Sequence, residues 1–229
     1  MKSLIFDAGP IISLATNNLL WILEPLKKEF NGKFYITNAV KRELVDKPLE
    51  TRKFKFEAIQ IEKILEEGIL EVVDSDFIIS KTPALLATAN QIFKAYNNYM
   101  SIVHFAEMSV IAAAVELKAS AIAIDEKITR SLIENPKVAL DIIKQTLHTS
   151  VSINENNLKE FENTVKDIKA IRSIELVTVA YEHGILDNYI TKIPDARKNL
   201  LESVLWGVKL NGCAVSKDEI EQIMKLEIK

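Results

Sequence analysis

Four carboxylates stand where strand-like runs give way to helical pattern: Asp7 after SLIF, Glu43 in ITNAVKRELV, Glu107 in HFAEMSVIAAAVELKA and Asp125 after AIAI. A carboxylate at the end of a buried strand is costly to leave unpaired. In open α/β sheets the ligand crevice lies beyond the carboxyl ends of the strands, so Asp7 and Asp125 point into one crevice if their strands are neighbours. Glu107 lies near the start of a helix that is apolar almost all round, close to its positive dipole end. Glu43 lies on the helix that follows the second strand.

Two carboxylates about 5 Å apart repel by roughly 3 kcal/mol at an effective dielectric of about 20, so such a cluster needs cations. The basic residues nearby in sequence are Lys41, Arg42, Lys127 and Arg130, which are not an equal set. Oxygen ligands without histidine or cysteine suit Mg²⁺ or Mn²⁺, hard ions that keep water and bridge to phosphate. Phosphodiester hydrolysis is the chemistry such ions serve.

Each acid also has an ordinary structural reading. Asp7 and Asp125 can cap the turn or helix that follows them, and Glu43 can be a surface charge near Lys47. Glu107 resists this treatment, because a buried helix face rarely tolerates an unpartnered acid. The histidines, His104, His148 and His183, have no metal-ligand spacing, so zinc is not expected. Cys213 reads as packed structure. KPLETRKFKF, from Lys47 to Phe56, mixes basic and aromatic residues in a way suited to phosphate contact and base stacking. Its phenylalanines are expected in the core of an amphipathic helix start.

The elements that must position these residues alternate. SLIF, KFYIT (Lys33 to Thr37), ILEVV (Ile69 to Val73) and AIAI (Ala121 to Ile124) have strand character and are separated by helical pattern. That order predicts an α/β fold with a parallel sheet covered on both faces. Gly9 and Pro10 turn the chain after the first strand. Asn38 is expected to cap AVKRELV, Thr82 with Pro83 to open a helix, and SKDE (Ser216 to Glu219) to form a capping box. From about Thr129 to Leu226 only helical periodicity is legible, with Asn- and Ser-rich SINENN (Ser152 to Asn157) as the expected linker.

Composition narrows the function further. Over 229 residues, 48% are hydrophobic and 27% charged, which is globular composition. A net charge of −3 gives no general attraction to nucleic acid, so any polyanion site must be local or metal-assisted. One cysteine and no basic-then-apolar leader before Phe6 make a cytoplasmic location the expectation. The apolar stretch from Met108 to Ile124 is broken by Glu116 and Lys118, and reads as core rather than a membrane span.

Taken in order, LIFDAGPIISLA, ITNAVKRELVD, FAEMSVIAAAVELKA and AIAIDEKITR resemble the PIN-domain family, the fold of many metal-dependent ribonucleases, including the toxin nucleases of toxin and antitoxin pairs. The tail from Val179 to Lys225 resembles the helical end of a prokaryotic branch of that family. The resemblance implies a three-layer α/β/α fold with a central parallel sheet of four or five strands, plus an all-helical C-terminal part. It implies a core over 1–130, a helical insertion or divergent segment over 131–178, and a tail over 179–229 that packs on the core. It further implies RNA as substrate and Mg²⁺ or Mn²⁺ held by Asp7, Glu107 and Asp125, with Glu43 direct or through water and Glu126 in reserve. Lys41, Arg42, Lys127 and Arg130 would then meet substrate phosphates, and Ser13 or Asn38 would support the ligands. A homodimer, a small antitoxin-like partner and a non-catalytic RNA-binding role are all compatible with it. The chain departs from many relatives in having Ala106 before the third acid and Ala123 two places before the fourth, which removes a polar neighbour that could orient water.

Overall fold

The first apolar run forms a strand, Lys2–Phe6 (β1), whose residues from Ser3 onward are buried. Its burial follows from position: in a computed structural model that describes residues 2–228, β1 is the middle strand of a five-stranded sheet. Asp7 then caps α1 (Ala8–Thr16), and a 3₁₀ turn at Leu20–Ile22 leads into α2 (Leu23–Phe30). After β2 (Gly32–Thr37) the chain makes a short helix in three consecutive parts: α3 (Asn38–Lys41), a π-helical turn at Arg42–Asp46, and α4 (Lys47–Leu49). Then come α5 (Lys55–Glu66), β3 (Glu71–Val73), α6 (Asp76–Asn90), β4 (Phe93–Ala95), β5 (Asn98–Tyr99) and α7 (Phe105–Leu117). The remainder comprises β6 (Ala121–Ala123), α8 (Lys127–Glu134), α9 (Pro136–Leu147), β7 (Val151–Ile153), α10 (Glu155–Val165) and β8 (Ala170–Ile171). The chain closes with α11 (Ser173–Glu182), a 3₁₀ turn at Ile185–Tyr189, α12 (Ala196–Leu210) and α13 (Lys217–Glu227).

The main sheet has the order β3-β2-β1-β6-β8, and every pairing in it is parallel. Parallel neighbours need crossovers, which the helices between the strands supply. α7 packs against β1, β2 and β6, and its buried run from Ala106 to Ala114 explains why that stretch is so apolar. Each large aliphatic side chain so removed from water contributes roughly 1.5–3 kcal/mol. α11 and α12 lie against α1. The α/β class and the helical end of the chain are as expected. Among the described residues no helix is long and apolar enough to cross a membrane.

Several local expectations are corrected. The chain after Thr129 is not purely helical until Ser173: β8 supplies the fifth strand of the main sheet, and β7 joins β4 and β5 in a small antiparallel sheet. Strands of two or three residues carry no readable period, and β8 is recognisable only through its partners, with Ile122 and Ile124 donating to the carbonyls of Lys169 and Ile171 at 2.8 Å. SINENN is no linker, because its start belongs to β7 and Asn154 caps α10. The helix expected to open at Thr82 begins at Asp76, capped by Ser75, with Pro83 in its interior. Thr82 Oγ1 donates to the Ile78 carbonyl there at 2.6 Å. Thr37, not Asn38, caps α3. The capping box at Ser216 and Glu219 forms as expected.

Candidate acidic site

β1 and β6 are neighbours, with Phe6 opposite Ala123, so Asp7 and Asp125 do leave adjacent strand ends. Gly9 lets them pack closely: a Cβ added there would stand 3.3 Å from Asp125 Cβ and 3.8 Å from Asp7 Oδ2. The two carboxylates nonetheless have different surroundings. Asp7 is buried and accepts from backbone amides of its own turn, Ala8 and, at 3.5 Å, Gly9. Burial, then the negative charge of Glu107 and less strongly that of Glu43, push its carboxyl from 3.8 up to about 7. Asp125 is buried too, but it accepts from Ser13 Oγ at 2.9 Å, from the Ser173 amide at 2.7 Å and from Ser173 Oγ at 2.7 Å.

Glu107 occupies the first turn of α7, where its Oε2 accepts from the His104 amide at 3.0 Å and from Thr129 Oγ1 at 2.8 Å. Burial raises its pKa above the ordinary carboxylate value, those two hydrogen bonds oppose the rise, and the charge of Glu126 adds to it. Glu126 caps α8 through a 2.5 Å bond from the Thr129 amide. Thr129 thus holds both carboxylates, by its hydroxyl and its amide. Glu43 rides on the π-helical turn, a feature common at functional sites because the extra residue re-aims side chains. Among the described residues none of Asp7, Glu43, Glu107, Asp125 and Glu126 has an ion-pair partner.

The oxygen-only donor set suits a hard divalent ion. Among the described residues, however, no three histidines, cysteines or carboxylates are gathered closely enough to make a finished cage. The four expected substrate cations divide. Lys41 is engaged with Asp46 at 3.2 Å and Glu62 at 3.7 Å, and Arg130 with Glu134 at 3.6 Å. Lys127 is exposed at the start of α8. Arg42 lines a cavity of about 540 Å³ beyond the ends of β2 and β3, with Glu43, Lys47, Asp74 and Phe105. Asn38 donates to Asp74 on that wall at 2.5 Å. Ser13, named as a supporting residue, does bond Asp125.

The segment from Lys47 to Phe56 departs from expectation. Phe54 and Phe56 are 44% and 67% exposed, and Lys53 Nζ stands 4.6 Å from the Phe54 ring centroid. Phe54 holds a left-handed backbone, φ 61, which keeps it out of the helical stripe. Cys213 is structural as expected: burial and the neighbouring Asp125 charge push its thiol up to about 12, so no thiolate forms near neutrality. Sequence reasoning passed over Thr129 and Ser173. Thr129 carried a signal, since a threonine three residues after a capping Glu126 presents both an amide and a hydroxyl to the site. Ser173 carried none, being 48 residues from Asp125.

No curated protein and no solved structure matches the chain. A family model, DUF3368, described as a PIN domain, matches residues 3–141, which is more than half of the chain and includes β1, β2, α7 and β6 with all five acids. PIN domains have a nuclease-like fold, are generally nucleases and typically use divalent metals. The parallel sheet with acids at its carboxyl end and the family match agree: the chain belongs to the PIN-domain family.

Proposed function

We propose that the protein is a divalent-metal-dependent ribonuclease that hydrolyses RNA phosphodiester bonds at Asp7, Glu107, Glu43 and Glu126. The observation that carries this reading is the buried Asp7, whose carboxyl is pushed up to about 7 by burial and two neighbouring acids and which has no ion-pair partner among the described residues. A site that makes its own charges this unfavourable is stabilised when a cation arrives. Mg²⁺ or Mn²⁺ would supply Lewis acidity and an activated water.

The chain's own groups do the rest. Asp7 and Glu107 would hold the ion from β1 and α7, while Glu43 and Glu126 approach from the π-helical turn and the start of α8. Thr129 fixes the Glu107 carboxyl, so that its free oxygen keeps one direction. Arg42 and Lys47 in the cavity beside Glu43 are suited to phosphate oxygens, Arg42 as a fork and Lys47 as a point charge. Phe105, on the same wall and half exposed, offers a face for an unpaired base. Burial of Asp7 and Glu107 limits screening of their interaction with an ion by bulk water, whereas Glu43 is exposed.

Titrating Mn²⁺ by calorimetry into the parent, Asp7→Asn and Glu107→Gln, followed by cleavage of a fluorescent single-stranded RNA, tests the proposal. Binding and metal-dependent cleavage in the parent, lost in both variants with circular dichroism unchanged, is the expected result. A second reading, an RNA-binding protein of the same fold without hydrolysis, is favoured by the lack of a finished cage among the described residues. RNA affinity indifferent to chelator and to Asp7→Asn, with no cleavage, would select it.

A further inference from the structure

The family match ends at residue 141, yet one acid inside it is bound chiefly by residues outside it. Asp125 is 2% exposed and stands where four segments meet. From α1, Ser13 Oγ donates to its Oδ2 at 2.9 Å. From the first residue of α11, the Ser173 amide donates to Oδ1 and the Ser173 hydroxyl to Oδ2, both at 2.7 Å. From the loop between α12 and α13, the Ala214 amide donates to the Asp125 main-chain carbonyl at 3.2 Å. Ser13 Oγ also lies 3.4 Å from the Asn211 carbonyl in that loop. A carboxylate offers about four acceptor positions; these donors fill three, and the buried Cys213 thiol also bonds the carboxylate.

The adjacent residue extends the junction. Arg172 Nη1 donates to the Ala214 carbonyl at 3.1 Å and to Glu219 Oε1 at 2.8 Å, and Nη2 to Glu175 Oε1 at 2.6 Å. Residues 172 and 173, directly after β8, therefore tie the fifth strand, α11, the loop and α13 to the end of β6. An anion suits this place, because α11 directs its positive end and its first amide at the carboxylate.

We propose that Asp125 is the latch that fastens the C-terminal region, from β8 to α13, over the carboxyl end of the sheet, and that it is not a metal ligand. Only the second half of this statement rests on the metal-dependent reading above. The latch distinguishes substitutions that a ligand would treat alike. Asparagine at 125 keeps an oxygen for the Ser173 amide and turns its NH₂ to two serine oxygens that can rotate to accept. Alanine takes the acceptor from the buried Ser173 amide and hydroxyl and leaves the Ser13 hydroxyl only the Asn211 carbonyl at 3.4 Å.

Hydrogen–deuterium exchange of the metal-free full chain, resolved by peptide, is measured for the parent, Asp125→Asn, Asp125→Ala and Ser173→Ala, with Mn²⁺ calorimetry on each. The latch requires exchange in residues 173–182 and 211–215 to rise by about 10-fold in Asp125→Ala, less in Ser173→Ala and least in Asp125→Asn, with β1 and β2 unchanged. It also requires Asp125→Asn to bind Mn²⁺ within about 3-fold of the parent, an order-of-magnitude margin. Unchanged exchange in Asp125→Ala and Ser173→Ala overturns the latch, and loss of Mn²⁺ binding in Asp125→Asn with its exchange unaltered overturns the statement that Asp125 is not a metal ligand. Should Asp125→Ala not fold, Ser173→Ala and Asp125→Asn still decide. Absence of Mn²⁺ binding in the parent removes the nuclease reading alone, because the exchange pattern decides the latch without metal.

Discussion

Asp7 and Asp125 end neighbouring strands, are equally hidden from water, and meet opposite fates. The donors around Asp125 are neutral hydroxyls and an amide aimed at its oxygens. Around Asp7 stand two more acids, and the backbone amides of Ala8 and Gly9 that bond it do not offset burial. A satisfied buried carboxylate joins parts of a fold, whereas an unsatisfied one is retained at a cost that a ligand can offset. The Arg172 junction repeats the first case with a full charge: burial works against the guanidinium, and bonds to Glu175 and Glu219 more than restore its charged state. Against the opposing effect of burial, the Ser216 amide and then Arg172 lower the Glu219 carboxyl to about 2.

The contrast can be broken most sharply by activity. Asp7→Asn should lower metal-dependent RNA cleavage by at least about 100-fold with the fold intact, as expected for removal of a metal-holding group. An active Asp7→Asn would make the unsatisfied acid as structural as Asp125. At the other pole, Arg172→Ala should destabilise the protein by about 3 kcal/mol in urea denaturation, since it strands two carboxylates and a partly buried carbonyl. That figure sits at the low end because Glu175 and Glu219 are partly exposed to water.

Stability against pH sharpens the Asp7 side. Its carboxyl titrates near 3.8 when unfolded and at about 7 when folded, so the fold favours the protonated form. That stabilisation is complete below the unfolded value and is lost as pH rises through the folded one. In chelator, Asp7→Asn should therefore be more stable than the parent near pH 8, by about 2–4 kcal/mol, with no gain near pH 4. Added Mn²⁺ should reverse the order near pH 8 by stabilising only the parent. The smallest effect concerns the exposed aromatics. Phe56→Ala should change stability by less than about 0.5 kcal/mol, while a filter-binding assay reads a loss of about 1 kcal/mol in RNA affinity if the ring stacks on a base.

Much of the site was legible because its acids lie at fixed places in a repeating strand-helix order. Asp7, Glu107 and Asp125 were found from apolar runs that end in a charge, and the parallel sheet followed from the same alternation. What escaped was short or distant. β8 spans two residues and exists only because β6 offers it hydrogen bonds. Phe54 and Phe56 follow an apolar pattern, yet a left-handed residue at Phe54 turns the segment outward. Thr82 before Pro83 has the pattern of a helix start, but Ser75 caps that helix seven residues earlier and Pro83 lies in its interior.

The sequence by itself determined the α/β class, the family, the order of the acids and the placement of Asp7 and Glu107 at element ends. Those are local properties, set by hydrophobic period, capping chemistry and chain order. Only the tertiary structure decided which carboxylates are satisfied. Asp125 and Asp7 are the same residue at equivalent strand ends, and they differ because Ser173, 48 residues beyond Asp125, folds back to donate to one, while Glu107 and Glu43 crowd the other. Electrostatic energy depends on distance in space, and the chain's order carries no record of that distance.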